Sequence, residues 1–385
     1  MKVAYILQDI SMSGSVFSFF NMLDELIPKG VQPIIITSGK CFDPLFSKKI
    51  AERDIKVYCV NFPKAVYFLK WYGLFKSLKY YFHLLLYPVE SFVSVVEIKE
   101  ILKKEEVDLV HTNVGIVRAG FFAAKKIKIP HVWHLREYQD KDFNYHFLPT
   151  KNYFRKLLLK SNVITISKDI YRHFELEGKN NAVTIYNGIL SKSNIQLNSE
   201  KKKYFLIANR IAPSKGIEIA IEAFSKFLIS HPDYKLLIAG ALGRTLDYEE
   251  QLIRYAKKEC DSAVVFMGYQ KDVLGLMAEA KALIVASRSE GFGRMTAEAA
   301  FCGCPVIGNN SGGTKEILEE TGGFPFEGTS SDLANKMEIV ASLSDHEYLS
   351  IAKKAQEKAV ELYSCESNGN NIYGFYQKII KQTIV

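Results

Sequence analysis

Ala282-Leu-Ile-Val-Ala286, followed after three residues by Glu290-Gly-Phe-Gly-Arg-Met-Thr-Ala-Glu298, is the stretch that decides the fold. The first segment is short, apolar and partly β-branched, as a buried strand should be. Gly291 and Gly293 interrupt the pattern, and Thr296-Ala-Glu-Ala-Ala-Phe301 predicts a helix. A glycine turn feeding a helix start offers backbone N–H groups and the positive end of the helix dipole to an anion. Two carboxylates flank that turn, and they are unsuited to holding phosphate themselves. They are suited to accepting hydrogen bonds from sugar hydroxyls. Phosphate and sugar together point to a nucleotide-sugar.

Working outward, the same strand-turn-helix unit repeats in both directions. In the first half, Val3–Leu7, Gln32–Thr37, Ile55–Val60, Asp108–His111, His131–His134 and Val163–Ser167 are strand candidates. Ser18–Leu26, Pro44–Arg53, Phe92–Lys104 and Arg118–Lys126 are helical candidates among them. The polar, weakly patterned residues 191–203 predict a linker. The second series opens with strand Tyr204–Ala208 and helix Gly216–Ser230, then strand Lys235–Ala239, helix Asp247–Glu259, strand Val264–Met267 and helix Val273–Glu279. After Ala282–Ala286 come helix Thr296–Cys302 and strand Pro305–Gly308. Alternation of this kind predicts parallel sheets covered on both faces. The expected fold class is therefore α/β, with two Rossmann-like parallel-sheet domains facing a central cleft. The expected boundaries are residues 1–190 for an acceptor domain, 191–203 for the linker and 204–364 for a donor domain. Residues 365–385 form a last helix, clearest over Tyr373–Lys381, that would cross back to the first domain.

A chain of 385 residues accommodates two domains. Hydrophobic content of 48% and charged content of 24% are those of a globular protein. Six cysteines without repeated spacing do not make a disulfide framework, and Cys302-Gly-Cys304 is too tight for a zinc pair. No secretory signal or spanning segment is visible, because Val3–Leu7 is too short for an h-region. A cytoplasmic protein, peripheral on the inner face of a membrane, is expected. The net charge of +8 is unevenly placed. Between Ile55 and Val89 there is no acidic residue, while Lys56, Lys64, Lys70, Lys76 and Lys79 are present. Across residues 62–92, aromatics such as Tyr67, Trp71 and Phe75 interleave with these lysines. Such a segment suits an anionic membrane interface beside a lipid-linked acceptor, and equally an extra helix pair with a lysine-rich outer face.

The second domain begins with Leu206-Ile-Ala-Asn-Arg210 and continues through Lys215-Gly216. Arg210 can grip phosphate oxygens bidentately and Lys215 supplies a compact charge. Taken alone, both are ordinary loop cations. Upstream of the Glu290–Glu298 turn, they supply what a departing diphosphate needs, neutralisation without a metal.

This combination resembles the retaining glycosyltransferases of the GT-B fold, of the family 4 (glycosyl transferases group 1) type. The resemblance rests on Asn209-Arg210, Lys215-Gly216, Glu290-Gly-Phe-Gly through Glu298-Ala, Gly303-Cys-Pro-Val-Ile307 and Ser311-Gly-Gly-Thr-Lys-Glu316. It implies that Arg210 and Lys215 bind the donor diphosphate, that Glu290 holds the transferred sugar, and that Glu298 accepts from the ribose. Backbone amides across Phe292, Gly293, Arg294 and Met295 would contact sugar and phosphate. Gly268, Tyr269 and Val273 lie in the turn that would cradle the base. In the first domain, Gly14 of Asp9-Ile-Ser-Met-Ser-Gly14 would approach the phosphate, although the family's glycine pair is here Ser13-Gly14. His134 aligns with the family's active-site histidine and would bond the donor sugar. His111 stays open between a structural and a functional role, and Arg136 and Glu137 between contacting acceptor and pairing with each other. Asp140-Lys-Asp142 has the spacing of a metal-binding motif but sits in the wrong domain for one.

The implied activity is transfer of a hexose-type sugar, UDP favoured as carrier, to a glycan or lipid-linked acceptor in cell-surface polysaccharide or glycoconjugate synthesis. No cofactor, no metal and no nucleic-acid partner are expected. A nucleotide-sugar epimerase of similar architecture and a non-catalytic glycosyltransferase-like subunit are the alternatives. A dinucleotide oxidoreductase is not supported, because no Gly-x-Gly-x-x-Gly follows Val3–Leu7.

Overall fold

The computed structural model describes residues 1–8, 10–39, 43–68, 74–195, 200–241 and 246–384. Asp9, residues 69–73 of the basic aromatic stretch and 196–199 of the linker lie outside the described residues. The first-half strands are β1 (Lys2–Leu7), β2 (Gln32–Thr37), β3 (Lys56–Cys59), β4 (Val66–Tyr67), β5 (Leu109–Thr112), β6 (His131–Leu135), β7 (His146–Phe147), β8 (Asn162–Thr165) and β9 (Ala182–Thr184). The second-half strands are β10 (Tyr204–Ala208), β11 (Lys235–Ala239), β12 (Val264–Gly268), β13 (Ala282–Val285), β14 (Val306–Asn309) and β15 (Phe324–Phe326).

Seven strands form one sheet in the order β3-β2-β1-β5-β6-β8-β9, and six form another in the order β12-β11-β10-β13-β14-β15. Every pair in both sheets is parallel. Strands β4 and β7 form a separate antiparallel ribbon. The chain divides into two compact units, residues 1–188 with 368–385, and residues 189–367.

The period-two alternation of a strand explains why both sheet faces are buried. Val3, Tyr5 and Leu7 of β1 enter one core cluster, while Ala4 and Ile6 enter another on the opposite face. In β10, Phe205 and Ile207 point to one cluster and Tyr204, Leu206 and Ala208 to the other. The helix Ile217–Leu228 covers the first of these faces with Ala220, Ile221 and Phe224, a spacing that keeps them on one stripe.

In each sheet the strand order reverses beside the first strand, between β1 and β5 and between β10 and β13. Open α/β sheets take their ligands at such switch points, outside the carboxyl ends of the strands.

Several elements differ from the sequence expectation. The helix expected over Phe92–Lys104 runs from Leu74 to Lys104 and contains Pro88. The turn after β1 is shorter than expected, because a helix already begins at Gly14, eight residues after Ile6. The last helix spans Cys365–Ile384 rather than Tyr373–Lys381. Its Ile372, Tyr376 and Ile379 join the core cluster of Val3, Tyr5 and Leu7, so this distant segment completes the first unit's hydrophobic interior.

Candidate functional site

In the second unit, three loops leave the carboxyl ends of β10, β13 and β14 and lock together. Gly313 N donates to Glu290 O at 2.8 Å, and Arg288 N donates to Ser214 O at 3.2 Å. Ser311 Oγ donates to Arg288 O at 3.1 Å, and Asn309 Nδ2 to Ser287 O at 3.1 Å. Two glycines make this approach possible. A Cβ on Gly216, whose φ is +64°, would lie 2.3 Å from Ala286 O, and one on Gly313 would lie 2.2 Å from Phe292 O.

Within this frame Lys215 Nζ lies 2.6 Å from Glu290 Oε1, with both side chains about one-fifth exposed. Sequence reading separates the two residues by task, one for phosphate and one for sugar, and the fold places them in direct contact. Gly293, at φ +91°, caps the helix Arg294–Phe301 and turns the chain into it. The first N–H groups of any helix lack partners inside it, which leaves them available to a ligand.

One turn further along, Arg294 Nε donates to Glu298 Oε1 at 2.8 Å. Burial raises the Glu298 carboxyl above the usual range, and Arg294 partly offsets that. The side-chain role of Arg294 escaped sequence reading, which considered only its backbone amide. Its signal was the i,i+4 spacing to Glu298. Also overlooked were the hydroxyls of Ser287 on the loop after β13, Thr296 in the helix Arg294–Phe301 and Thr314 in the helix Gly312–Thr321, which are buried without a hydrogen-bond partner among the described residues.

Arg210 follows β10 after Asn209, is exposed, and makes no hydrogen bond or ion pair among the described residues. Gly268 ends β12 at φ +64°, Tyr269 beside it is 72% exposed, and Val273 opens a helix capped by Asp272 onto Gly275 N at 2.8 Å. The turn therefore presents an open aromatic next to a stabilised helix start.

In the first unit the carboxyl ends of β5 and β6 hold a buried polar cluster. His111 and His134 are both 0% exposed, and His111 Nε2 lies 3.1 Å from His134 Nδ1. Tyr376, from the last helix, brings its hydroxyl to 2.6 Å from His111 Nδ1. The hydrogen bonds of Arg136 run to Asn113 Oδ1 at 2.8 Å and Asn187 Oδ1 at 2.6 Å. Arg136 is thus a buried member of the cluster. Burial lowers both histidines well below the usual range, and Arg136 adds to the effect. They are neutral rings. Sequence reading reached His134 and left His111 open; Asn113, Asn187 and Tyr376 carried no local signal.

Asp140 and Asp142 serve other purposes. Asp140 contacts His173 at 2.8 Å and Lys151 at 3.0 Å, and Asp142 accepts from Tyr138 N at 2.7 Å. Burial pushes the Asp140 carboxyl up, but His173 and Lys151 more than offset it and hold it low. A cavity of about 430 Å³ opens near Lys125, Lys128 and Lys160, at the amino ends of β6 and β8, away from these strand-end loops.

Two parallel sheets of this order, with the motif at the second sheet's switch point, define a GT-B protein of two Rossmann-like units. The model of the family described as glycosyl transferases group 1 matches residues 190–358. The chain is similar to an uncharacterised glycosyltransferase of Methanocaldococcus jannaschii, 28% identical over 225 residues, which are 57% of this chain and 61% of that one. The match thus spans under two thirds of that relative's length. It is also similar to N-acetyl-alpha-D-glucosaminyl L-malate synthase of Bacillus anthracis, 24% identical over 321 residues, 77% of this chain and 81% of the relative. Among solved structures, Anabaena HepE in complex with UDP superposes with a TM-score of 0.78 at 21% identity, covering 98% of this chain and 100% of that one. That likeness establishes the fold.

Proposed function

We propose that this protein transfers a hexose-type sugar from a nucleoside diphosphate, UDP favoured, to an acceptor hydroxyl, with retention at the anomeric carbon and without a metal. The observation that carries the proposal is the contact between Lys215 and Glu290 across the switch point of β10 and β13. A cation and a carboxylate held together there match the two halves of a sugar phosphate. Lys215, with Arg210, takes the diphosphate, and Glu290 is left to accept from the sugar hydroxyls.

As the bond from the anomeric carbon to the diphosphate breaks, negative charge grows on the leaving oxygen, and the two cations stabilise it. The acceptor oxygen bonds to the same face of the sugar, and its proton passes to the departing phosphate oxygen. Glu298, beside Arg294, is assigned to the ribose, and the Gly268–Val273 turn to the base. Gly14 is assigned to the phosphate and His134 to a hydroxyl of the moving sugar. With Asp140 and Asp142 already engaged by His173, Lys151 and Tyr138, the Asp-x-Asp spacing is assigned no metal role.

The acceptor is assigned to a glycan or lipid-linked sugar at a cytoplasmic membrane face, in cell-surface polysaccharide or glycoconjugate synthesis. The support is an exposed apolar stripe on the helix Leu74–Lys104. Phe82, Leu85, Val89 and Phe92 are 58%, 77%, 61% and 61% exposed, at a spacing that repeats every helical turn. Lys126 Nζ stands 4.9 Å over the Phe92 ring, so a cation borders the stripe. No helix among the described residues is long and apolar enough to cross a membrane.

Thermal shift against UDP, GDP, ADP and their sugars identifies the donor, since ligand bound to the native state raises the midpoint. Proton spectra of the product, formed with and without a chelator, then read anomeric configuration and metal need. An inverted product, or activity lost on chelation, overturns the mechanism. Interconversion of the donor with no acceptor present would establish the epimerase instead.

A further inference from the structure

The buried cluster of the first unit has a direction, and Arg136 sets it. A guanidinium has donors and no acceptor, and it does not lose its proton in a protein. Arg136 Nη2 faces His134 Nδ1 at 3.4 Å. A proton on that nitrogen would set N–H against N–H, so His134 Nδ1 is an acceptor. His111 Nε2, 3.1 Å from the same atom, is then the donor. A neutral imidazole carries one N–H, so His111 Nδ1 is an acceptor and Tyr376, at 2.6 Å, donates its hydroxyl proton to it. The remaining proton of His134 must sit on Nε2. That atom is buried and has no hydrogen-bond partner among the described residues.

We propose that Tyr376, His111 and Arg136 form a positioning relay that fixes His134 as the Nε2–H tautomer, so that it presents a hydrogen-bond donor to an oxygen of the bound sugar. The identity of that oxygen's owner rests on the functional reading above; the tautomer does not. A buried N–H without a partner is costly. A ligand oxygen that meets it recovers that cost, which ties the relay to recognition. Burial and the Arg136 charge keep both rings neutral at physiological pH, so the donor is present throughout the working range. Tyr376 lies 242 residues beyond His134 in sequence, and it reaches the cluster because the last helix packs into the first unit. The relay gives that segment a chemical task in addition to its apolar contacts.

Histidine-selective ¹⁵N labelling of the full chain, with long-range ¹H–¹⁵N spectra, reads each tautomer directly. His111→Gln and His134→Gln assign the signals. In the ligand-free wild type both rings should be Nε2–H forms, and an Nδ1–H form of His134 overturns the relay. In Tyr376→Phe the His111 Nδ1 resonance should move to the position of a nitrogen without a donor, while kcat/KM falls about tenfold, the loss expected of one hydrogen bond. An unchanged His111 spectrum in a folded Tyr376→Phe protein also overturns it. Titration with UDP-glucose and GDP-mannose separates the two ideas. Tautomers as proposed, with the His134 Nε2 signal unmoved by a sugar nucleotide that raises the thermal midpoint, keep the relay and sink the assignment of His134 to the donor sugar.

Discussion

Lys215 and Glu290 show how one contact serves two purposes. Each neutralises the other, which limits the cost of holding either charge partly buried. When donor binds, the diphosphate competes for the ammonium and the sugar for the carboxylate. Lys215→Ala should lower kcat by roughly a hundred- to a thousandfold, the range for removing a group that meets developing charge. The thermal midpoint should move by only a few degrees, because partly exposed ion pairs contribute little. Near-wild-type turnover in that variant would be incompatible with the proposed site. Gly313 makes a different demand. Alanine there would place its Cβ 2.2 Å from Phe292 O, against backbone that has nowhere to move cheaply. Gly313→Ala should cost about 1–3 kcal/mol in urea unfolding, as overpacking does, and should abolish the donor-induced thermal shift. A neutral variant would mean that the loops are looser than the structure describes. The residues of this turn were legible in the sequence because glycines, carboxylates and cations carry their chemistry wherever they sit. The pairing of Lys215 with Glu290 was not, since 75 residues separate them.

At the scale of elements, the long helix Leu74–Lys104 carries the clearest prediction. Its stripe of Phe82, Leu85, Val89 and Phe92 is solvated in the isolated protein, so replacing it should cost the fold little. Leu85→Glu combined with Phe92→Ser should leave the thermal midpoint nearly unchanged. The same variant should lose co-sedimentation with vesicles containing phosphatidylglycerol, and equal binding by both proteins would remove the membrane from the proposal. Sequence reading found the aromatic and basic character of residues 62–92 and left it between an interfacial segment and an extra helix pair, with a regular helix assigned only from Phe92. The apolar residues before Pro88 obscured the helical period, and proline is normally a helix-breaking signal. The structure carries the helix through it. Strand β15 and the helix Gly312–Thr321 lay beyond the strong alternation and were likewise not read as elements.

For the whole molecule, the buried histidines set an acid limit. Burial lowers His131 to about 3, and lowers His111 and His134 in the same direction. Unfolded, each has an ordinary value near 6.5 and takes up a proton below it. The unfolded chain therefore binds more protons than the folded one in this window, and stability falls as pH falls. For His131 the slope is about 1.4 kcal/mol per pH unit between roughly 6.5 and 3. Carboxylates held low, such as Asp169 and Glu105, lose their contribution only at lower pH, below the ordinary carboxylate range. Glu298, raised by burial, acts in the opposite sense, one group against three. Urea midpoints at pH 7.5, 6.5 and 5.5 should therefore be level across the first step and drop across the second. A level profile down to 5.5 would show that the rings are accessible to protons.

The sequence by itself determined the class of fold and the chemistry of the second unit's strand ends. Apolar strands of five or six residues alternating with helices admit few arrangements other than parallel sheets. The residues that follow those strands are placed at the carboxyl edge by the same alternation. Only the tertiary structure decided which of those residues touch. Lys215 meets Glu290 because β10 and β13 are neighbours, and that adjacency follows from strand order. Tyr376 meets His111 because Ile372, Tyr376 and Ile379 bury themselves beside β1, drawing the chain's last helix into its first unit. Local pattern encodes what each segment is. Burial of apolar surface, which is non-directional and indifferent to sequence distance, selects the partner each segment finds.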